Sequence, residues 1–367
     1  MRNIILIVMA CFIYGFTFSQ TIYKDITSER LNAVRQLKIK LPKDYDPNSE
    51  VKHPVVIVFD ADYLFEPVVG QIEFQTYFDD MPSSIVVGVI QARERAFDGY
   101  YNPSTGLPEQ SGYRFHQFIS TEVLPYIDSK YNTSPFRVAV GHDLMGNFIN
   151  SYLFKQDSDF QAYVCLSPDF IGSLKTSIAH TLEASNRDVF YYLATSDKDV
   201  PSIRENVLAA DAQIKEITNT KVTYYFDDFE GENHYTLVSG AIARSFEKIF
   251  ELYNPIREKE LSEKVYHYEG TLDNYLIERY NRIDKLFGIT KKISEKELDK
   301  VAEVAEQRED FKSLEKIGRL ANKLFPETLL GTYYIAHSAE KLGKTKKAKK
   351  LYESALTLND ATNINKE

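Results

Sequence analysis

Tryptophan is absent from this 367-residue chain, and only two residues, Cys11 and Cys165, are cysteines. Cys11 lies in an N-terminal segment that we expect to be removed, so the mature chain would keep one thiol and could form no internal disulfide. The formal net charge is −9, and the lysine-rich residues 344–350 are typical of a solvated helix face. These features argue against nucleic acid as a partner and against a fold stabilised by disulfides.

The N-terminus has the features of a secretory signal peptide. Arg2 supplies a positive charge, residues 4–18 are mostly apolar, and Thr17 and Ser19 offer a small-x-small cleavage pattern. We therefore expect residues 1–19 to be cleaved off after Ser19 and the protein to be exported to the periplasm or the extracellular space. A lipoprotein anchored at Cys11 is the less favoured alternative, because the segment after Cys11 stays apolar. No later stretch is apolar enough to predict a transmembrane segment.

Between residues 33 and 250, apolar runs typical of β-strands alternate with stretches typical of helices. The predicted strands are residues 35–40, 54–60, 84–90, 136–140, 162–167, 189–194 and 222–229, and the predicted helices are residues 115–130, 147–154, 203–216 and 238–252. Continuous apolar strands suit a sheet that is buried on both faces, and the alternation of strand and helix makes that sheet largely parallel. The sequence therefore predicts a doubly wound α/β domain over residues 20–254.

The pattern becomes wholly helical and charged after Asn254 and Pro255. Residues 255–293 are predicted to form a helical linker, and residues 294–367 a small all-α domain. Small residues recur in this domain with a period of roughly 34 residues, as in tetratricopeptide repeats. We therefore expect two degenerate tetratricopeptide-like (TPR-like) repeats that bind a protein partner. The alternative is a plain helical cap, because any packed pair of helices needs small residues at its contacts.

The run VAVGHDLMG, residues 138–146, carries the most chemical information. An apolar strand leads into Gly141 and His142, and an amphipathic helix follows. A strand, a sharp turn and a helix in this order form the G-x-S-x-G nucleophile elbow of α/β-hydrolases, in which the turn exposes a serine hydroxyl. Here Asp143 takes the place of the serine, and Met145 takes the place of the second glycine. The sequence therefore predicts a hydrolase-type turn without the usual nucleophile.

Five segments in the same order resemble the esterase family that includes esterase D and the enterobactin-type esterases. They are the strand that ends in Asp60-Ala61-Asp62, residues 86–90 with residues 93–98, the helix containing Leu124-Pro125-Tyr126, the dipeptide Ser167-Pro168, and residues 230–234. The resemblance covers residues 33–255 and implies an α/β-hydrolase fold that needs no cofactor and no metal. Members of this family with C-terminal TPR-like repeats exist, so the tail fits the resemblance too.

The resemblance also implies roles for individual residues. Asp143 stands at the nucleophile position, and His234, after the last strand, matches the histidine that acts as general base. The acid that orients His234 would be Asp197 or Asp199, which keeps the nucleophile–acid–histidine order of α/β-hydrolases. The oxyanion hole would consist of the Leu144 amide and one amide from the turn at Ala61 and Asp62.

The aspartate at the elbow leaves two functional hypotheses. Asp143 cannot form an acyl-enzyme in the way that serine does, and Met145 is expected to crowd the tight turn. One hypothesis is an exported pseudo-esterase used in binding or scaffolding, with Asp143 in a fixed ion pair with His234. The other is a divergent hydrolase of small or sugar-linked esters that uses these same two residues. Aspartate nucleophiles occur in relatives similar to haloalkane dehalogenases, in which histidine activates water.

Overall fold

The computed structural model describes residues 21–361. The predicted signal peptide, with its cleavage site at Ser19 and the lipoprotein alternative at Cys11, lies outside the described residues. None of the described helices is long and apolar enough to cross a membrane.

The chain forms two compact units. The first runs to Glu251 and also includes Phe287–Ile289, and the second comprises Leu252–Leu286 and the residues from Thr290 onward. The first unit thus takes up three residues of the predicted 255–293 linker.

The first unit is built on an eight-stranded sheet. Its strands are β1 Ile22–Ser28, β2 Ala33–Lys40, β3 His53–Val58, β4 Ile85–Val89, β5 Thr133–His142, β6 Ala162–Leu166, β7 Val189–Lys198 and β8 Val222–Asn233. Their order across the sheet is β1-β2-β4-β3-β5-β6-β7-β8. Strand β2 pairs in antiparallel fashion with β1 and with β4, and the other pairs are parallel. The predicted α/β fold with a mostly parallel sheet is confirmed.

Helices connect the parallel strands, and strands β3, β4 and β6 are buried along their whole length. The helices of the first unit are α1 Phe65–Tyr77, α2 Arg95–Asp98, α3 Gln110–Phe118, α4 Leu124–Lys130, α5 Leu144–Phe148, α6 Leu174–Glu183, α7 Pro201–Ile214 and α8 Leu237–Ile249. A π-helical turn, Ile119–Val123, joins α3 to α4, and a 3₁₀ segment, Ile149–Phe154, follows α5.

The strand order reverses beside β3, which lies between β4 and β5. In open α/β sheets such a reversal creates a crevice at the carboxyl ends of the two central strands, and ligands bind there. Asp60 lies just beyond the end of β3, and Asp143 lies just beyond the end of β5. The topology therefore brings these two carboxylates to the edge of the sheet where a site is expected.

The second unit is helical. Its helices are α9 Glu258–Glu260, α10 Leu272–Phe287 (whose last residue belongs to the first unit), α11 Glu295–Gln307, α12 Phe311–Leu324, α13 Leu330–Lys341 and α14 Thr345–Ala355, and a π-helical turn, Leu261–Val265, follows α9. A reciprocal capping box between Ser294 and Glu297 begins α11. Gly343, with φ 75°, lies in the turn between α13 and α14. The helical C-terminal region is confirmed, whereas its assignment to TPR-like repeats stays a prediction.

Candidate functional site

The turn after β5 has the geometry of a nucleophile elbow. Strand β5 ends at His142, Asp143 has φ 54° and ψ −120°, and α5 begins at Leu144. Such a backbone conformation costs a residue with a side chain roughly 1–3 kcal/mol. The Asp143 amide donates to the Leu166 carbonyl over 3.1 Å, and the Asp143 carbonyl accepts the Asn147 amide over 3.0 Å. These bonds fix the turn, which leaves the Asp143 side chain 28% exposed.

Met145 does not crowd this turn, so the expectation from the sequence is wrong. Its side chain is fully buried and packs against Gly99, where an added Cβ would lie 2.7 Å from the methionine Cε. The close contacts of the turn are made at two glycines instead. An added Cβ on Gly141 would lie 2.4 Å from the Met145 carbonyl oxygen, and one on Gly146 would lie 3.1 Å from Pro168. The tight turn therefore has its second glycine one position later than the motif predicts.

Strand β8 brings His234 to the same edge of the sheet. The strand continues to Asn233, and His234 follows it with only 8% of its surface exposed. Its Nδ1 atom is 2.8 Å from Asp199 Oδ1. Asp197, the other candidate acid, lies exposed in β7 and accepts the Gly231 amide over 2.8 Å. Of the two candidates, Asp199 is therefore the carboxylate that contacts His234.

Asp199 is a buried anion with hydrogen bonds on both oxygens. The Ser167 and Thr195 hydroxyls donate to Oδ2 over 2.6 and 2.7 Å, and the Val200 amide donates to Oδ1 over 2.8 Å. Burial raises the pKa of Asp199, but these bonds and the one from His234 outweigh burial and hold the pKa at about 2. Because an ionised carboxylate can only accept, His234 Nδ1 must carry the proton. In the neutral ring the lone pair is then on Nε2.

A guanidinium holds the Asp143 carboxylate. Arg95 Nε donates to Asp60 Oδ1 over 2.8 Å, and Arg95 Nη2 donates to Asp143 Oδ2 over 3.2 Å. The Asp60 side chain is 2% exposed, whereas that of Arg95 is 30% exposed. Burial raises the pKa of Asp60, and Arg95 opposes this rise because it stabilises the charged form. Arg95 therefore links the turn after β3 to the elbow after β5.

The predicted fixed ion pair between Asp143 and His234 is not formed at close range. His234 Nε2 is 4.0 Å from Asp143 Oδ1, which is beyond hydrogen-bond distance. Asp143 is instead paired with Arg95 through its other oxygen. Arginine is the stronger partner because its guanidinium is always charged and donates from a rigid fork. The carboxylate thus faces the imidazole but is held by the arginine.

His142 supports this site as a neutral ring. Burial lowers the pKa of His142 to about 4, and its Nε2–H donates to the His234 carbonyl over 3.0 Å. Its Nδ1 then accepts the Tyr63 hydroxyl over 3.0 Å. The same hydroxyl is 3.1 Å from Asp60 Oδ2. Tyr63 and His142 therefore tie the turn after β3 to the segment that carries His234.

The candidate oxyanion-hole amides differ in whether their N–H groups are already hydrogen-bonded within the protein. The Ala61 amide donates to the Val89 carbonyl over 3.1 Å, so Ala61 is not the residue of the predicted Ala61–Asp62 turn that could supply an oxyanion donor. The amides of Asp62 and Leu144 make no hydrogen bond to another described residue. Leu144 is the first residue of α5, where helix N–H groups lack intrahelical partners.

In residues 21–361, no three His, Cys, Asp or Glu side chains are grouped to hold a metal ion.

The sequence patterns did not predict three contributors to this site: Arg95, Ser167 and Tyr63. Arg95 lies in the 93–98 segment of the family pattern, but its two partners are distant in sequence. Ser167 belongs to the Ser-Pro dipeptide, has φ 41°, and places its hydroxyl 2.9 Å from His234 Nδ1. Ser167 directly follows a buried parallel strand. This position is the sequence signal from which Ser167 could have been identified as part of the site.

The strained turn after β5, followed by an acid and a histidine after later strands, defines an α/β-hydrolase. The family model described as "Putative esterase" matches residues 28–244. The chain therefore belongs to this esterase family. No curated protein matches the chain significantly.

Solved structures with similar folds include both hydrolases and an uncharacterised protein. An uncharacterised protein from Capnocytophaga ochracea DSM 7271 is 27% identical, with 95% of this chain and 96% of that chain covered and a TM-score of 0.83. An IroE-like serine hydrolase from Shewanella oneidensis is 18% identical, with 79% and 95% covered and a TM-score of 0.59. The enterobactin esterase FES from Shigella flexneri is 17% identical, with 65% and 60% covered and a TM-score of 0.51. These last two likenesses concern the fold alone.

Proposed function

We propose that this protein is an exported pseudo-esterase, which binds a ligand or a partner and does not hydrolyse esters. The observation that carries the proposal is the carboxylate of Asp143 at the elbow, held by Arg95 at 3.2 Å. A serine nucleophile forms an acyl-enzyme that water then hydrolyses. A carboxylate that attacks an ester carbonyl gives a mixed anhydride instead, and its pairing with a guanidinium weakens it as a nucleophile.

The retained histidine is compatible with this proposal. In a serine hydrolase the histidine removes the proton of the hydroxyl nucleophile, and a carboxylate has no such proton. His234 and Asp199 also have a structural role, because both contact the Ser167 side chain: its hydroxyl donates to Asp199 over 2.6 Å and lies 2.9 Å from His234 Nδ1. The pair therefore stabilises the crevice even where no reaction takes place.

A second candidate is a divergent hydrolase of small or sugar-linked esters. In this mechanism Asp143 attacks the ester carbonyl, the alcohol leaves and takes a proton from water, and a mixed anhydride remains. His234 then activates the water that hydrolyses the anhydride, which releases the acid and regenerates Asp143. The observation that favours it is the 4.0 Å separation of His234 Nε2 and Asp143 Oδ1. A water molecule at ordinary hydrogen-bond distance from both atoms, about 2.8 Å, fits this separation.

Ester turnover by the purified protein distinguishes the two candidates. We expect p-nitrophenyl acetate and butyrate to be hydrolysed no faster by the wild type than by Asp143→Asn, and far below the ordinary enzyme scale of about 10 s⁻¹. Asp197→Asn is the matched control, because Asp197 is exposed and contacts the Gly231 amide rather than His234. Wild-type turnover near that scale, kept by Asp197→Asn and lost in Asp143→Asn, would establish the hydrolase.

Export and partner binding are further parts of the proposal. The positive charge of Arg2, the apolar stretch after it and the small residues before Gln20 support cleavage after Ser19. The mass of the mature protein should therefore correspond to a chain that begins at Gln20. An uncut Met1 or a lipid on Cys11 would contradict this.

The C-terminal helices are the proposed surface for a protein partner, on the basis of their TPR-like sequence pattern.

A further inference from the structure

His234 directs an unpartnered lone pair at the elbow. Its Nδ1 proton is committed to Asp199 and Ser167, at 2.8 and 2.9 Å. Its side chain is 10% exposed, and its Nε2 atom faces Asp143 Oδ1 at 4.0 Å. In the neutral ring both facing atoms are acceptors, and at this distance even a protonated Nε2 would not reach the carboxylate. The gap is therefore complementary to a group that donates hydrogen bonds in two directions.

Negative charge predominates around this gap. Asp143 and Asp169 are both partly exposed, and the Asp169 amide donates to the Asp143 carbonyl over 3.1 Å. Burial raises the pKa of Asp169, the neighbouring charge of Asp143 raises it further, and His234 opposes this rise. Arg95 does not compensate for the charges of both Asp143 and Asp169, because its guanidinium is shared between Asp60 and Asp143. The carboxylates beside the gap therefore favour a cation there.

Two exposed tyrosine rings flank the histidines. Tyr63 is 45% exposed and Tyr235 is 76% exposed, and their ring centroids are 5.9 and 6.2 Å from that of His142. The Tyr235 centroid is also 5.0 Å from that of His234. The face of an aromatic ring attracts a cation within about 6 Å. These two aromatic rings beside the histidines are thus compatible with the same class of ligand as the charges of the site.

We propose that the site binds the ammonium group of a primary amine between Asp143 Oδ1 and His234 Nε2, beside the rings of Tyr63 and Tyr235. An ammonium nitrogen about 2.7–2.9 Å from each acceptor is compatible with their separation of 4.0 Å. Its three N–H groups reach both acceptors and leave one for water. The inference rests on the proposed function, because it treats the elbow as a binding site and not as a place of reaction.

The probe for this site is n-butylammonium, titrated into the full mature protein and followed by ligand-observed NMR. Tetramethylammonium, which has the charge but no N–H donor, and butyrate, which has the opposite charge, are the reference compounds. We expect n-butylammonium to bind at least about tenfold more tightly than either, because only it forms charge-assisted hydrogen bonds. Asp143→Asn should weaken its binding by a factor on the order of ten. Asparagine tolerates a positive φ, so the elbow should persist.

Asp197→Asn removes the same charge from an exposed position and should leave binding unchanged. Equal affinity of n-butylammonium for the wild type and for folded Asp143→Asn would overturn the proposal, and so would equal binding of butyrate. If Asp143→Asn does not fold, Tyr235→Ala is the second variant, with an expected weakening of about threefold; unchanged affinity in it would overturn the proposal. Ester turnover by the wild type would refute the pseudo-esterase whether or not the amine binds, and absent amine binding would refute only this inference.

Discussion

Asp143→Ser is expected to raise ester hydrolysis well above that of the wild type, which we propose to be a pseudo-esterase. The turn already has the elbow conformation, φ 54° and ψ −120°, and Asp199 orients His234 at 2.8 Å. The Leu144 amide at the start of α5 is a candidate donor to an oxyanion. Serine adds the missing hydroxyl, and general-base catalysis contributes on the order of 10²–10⁴-fold. We expect kcat/KM for p-nitrophenyl acetate to rise by about that factor over the wild type.

A second substitution that restores the glycine of the motif, Met145→Gly, should bring no further activity. Met145 is fully buried against Gly99, and its removal leaves a cavity that costs about 2–5 kcal/mol. The double variant should therefore be less stable and no more active than Asp143→Ser. Adding His234→Ala to Asp143→Ser should abolish the gain. A folded Asp143→Ser protein that is no more active than the wild type would mean that the likeness to esterases is one of fold alone.

Elements of the fold could be predicted where the local sequence has a clear apolar pattern, and were missed where it has none. Strands such as β3 and β4 are buried on both faces and appear as continuous apolar runs. Strand β1 was not predicted, because most of its residues are exposed at the edge of the sheet. Helix α1 was not predicted because Pro67 and Gly70 interrupt its sequence pattern. Pro67 lies in the first turn, where no helical hydrogen bond is lost, and burial of Phe65, Val68 and Ile72 along one side of α1 offsets the unfavourable Gly70.

The site was predictable only where one segment determined it. The elbow is a local motif, so Asp143 and its turn could be located from residues 138–146 alone. The choice between Asp197 and Asp199 could not be made, since it depends on how far β7 extends and which side chain then faces inward. The partners of Arg95 could also not be predicted, because they lie 35 and 48 residues away in sequence. A single sequence carries no information on such pairings.

Arg95→Met is expected to cost roughly 3–5 kcal/mol of unfolding free energy at neutral pH. The Asp60 side chain is 2% exposed and accepts a hydrogen bond from Arg95 Nε at 2.8 Å, so the substitution leaves a buried charge without its cation. Asp143 loses its partner at 3.2 Å as well. Methionine keeps an apolar stem of similar length, which limits the loss of packing. Urea-induced unfolding of the wild type and the variant measures the difference.

This loss should shrink as the pH falls. Burial already raises the pKa of Asp60 against the effect of Arg95, and without Arg95 the pKa should rise further. A carboxyl group whose folded pKa exceeds its unfolded value, about 3.9, contributes stability when protonated and loses it as the pH rises through the folded pKa. Arg95→Met should therefore approach wild-type stability near that unfolded pKa. Arg244→Met is the matched control, because Arg244 pairs with Asp227 at 3.0 Å but is 57% exposed, and it should cost about 0–1 kcal/mol. Equal and pH-independent losses in both variants would mean that Asp60 carries no charge for Arg95 to compensate.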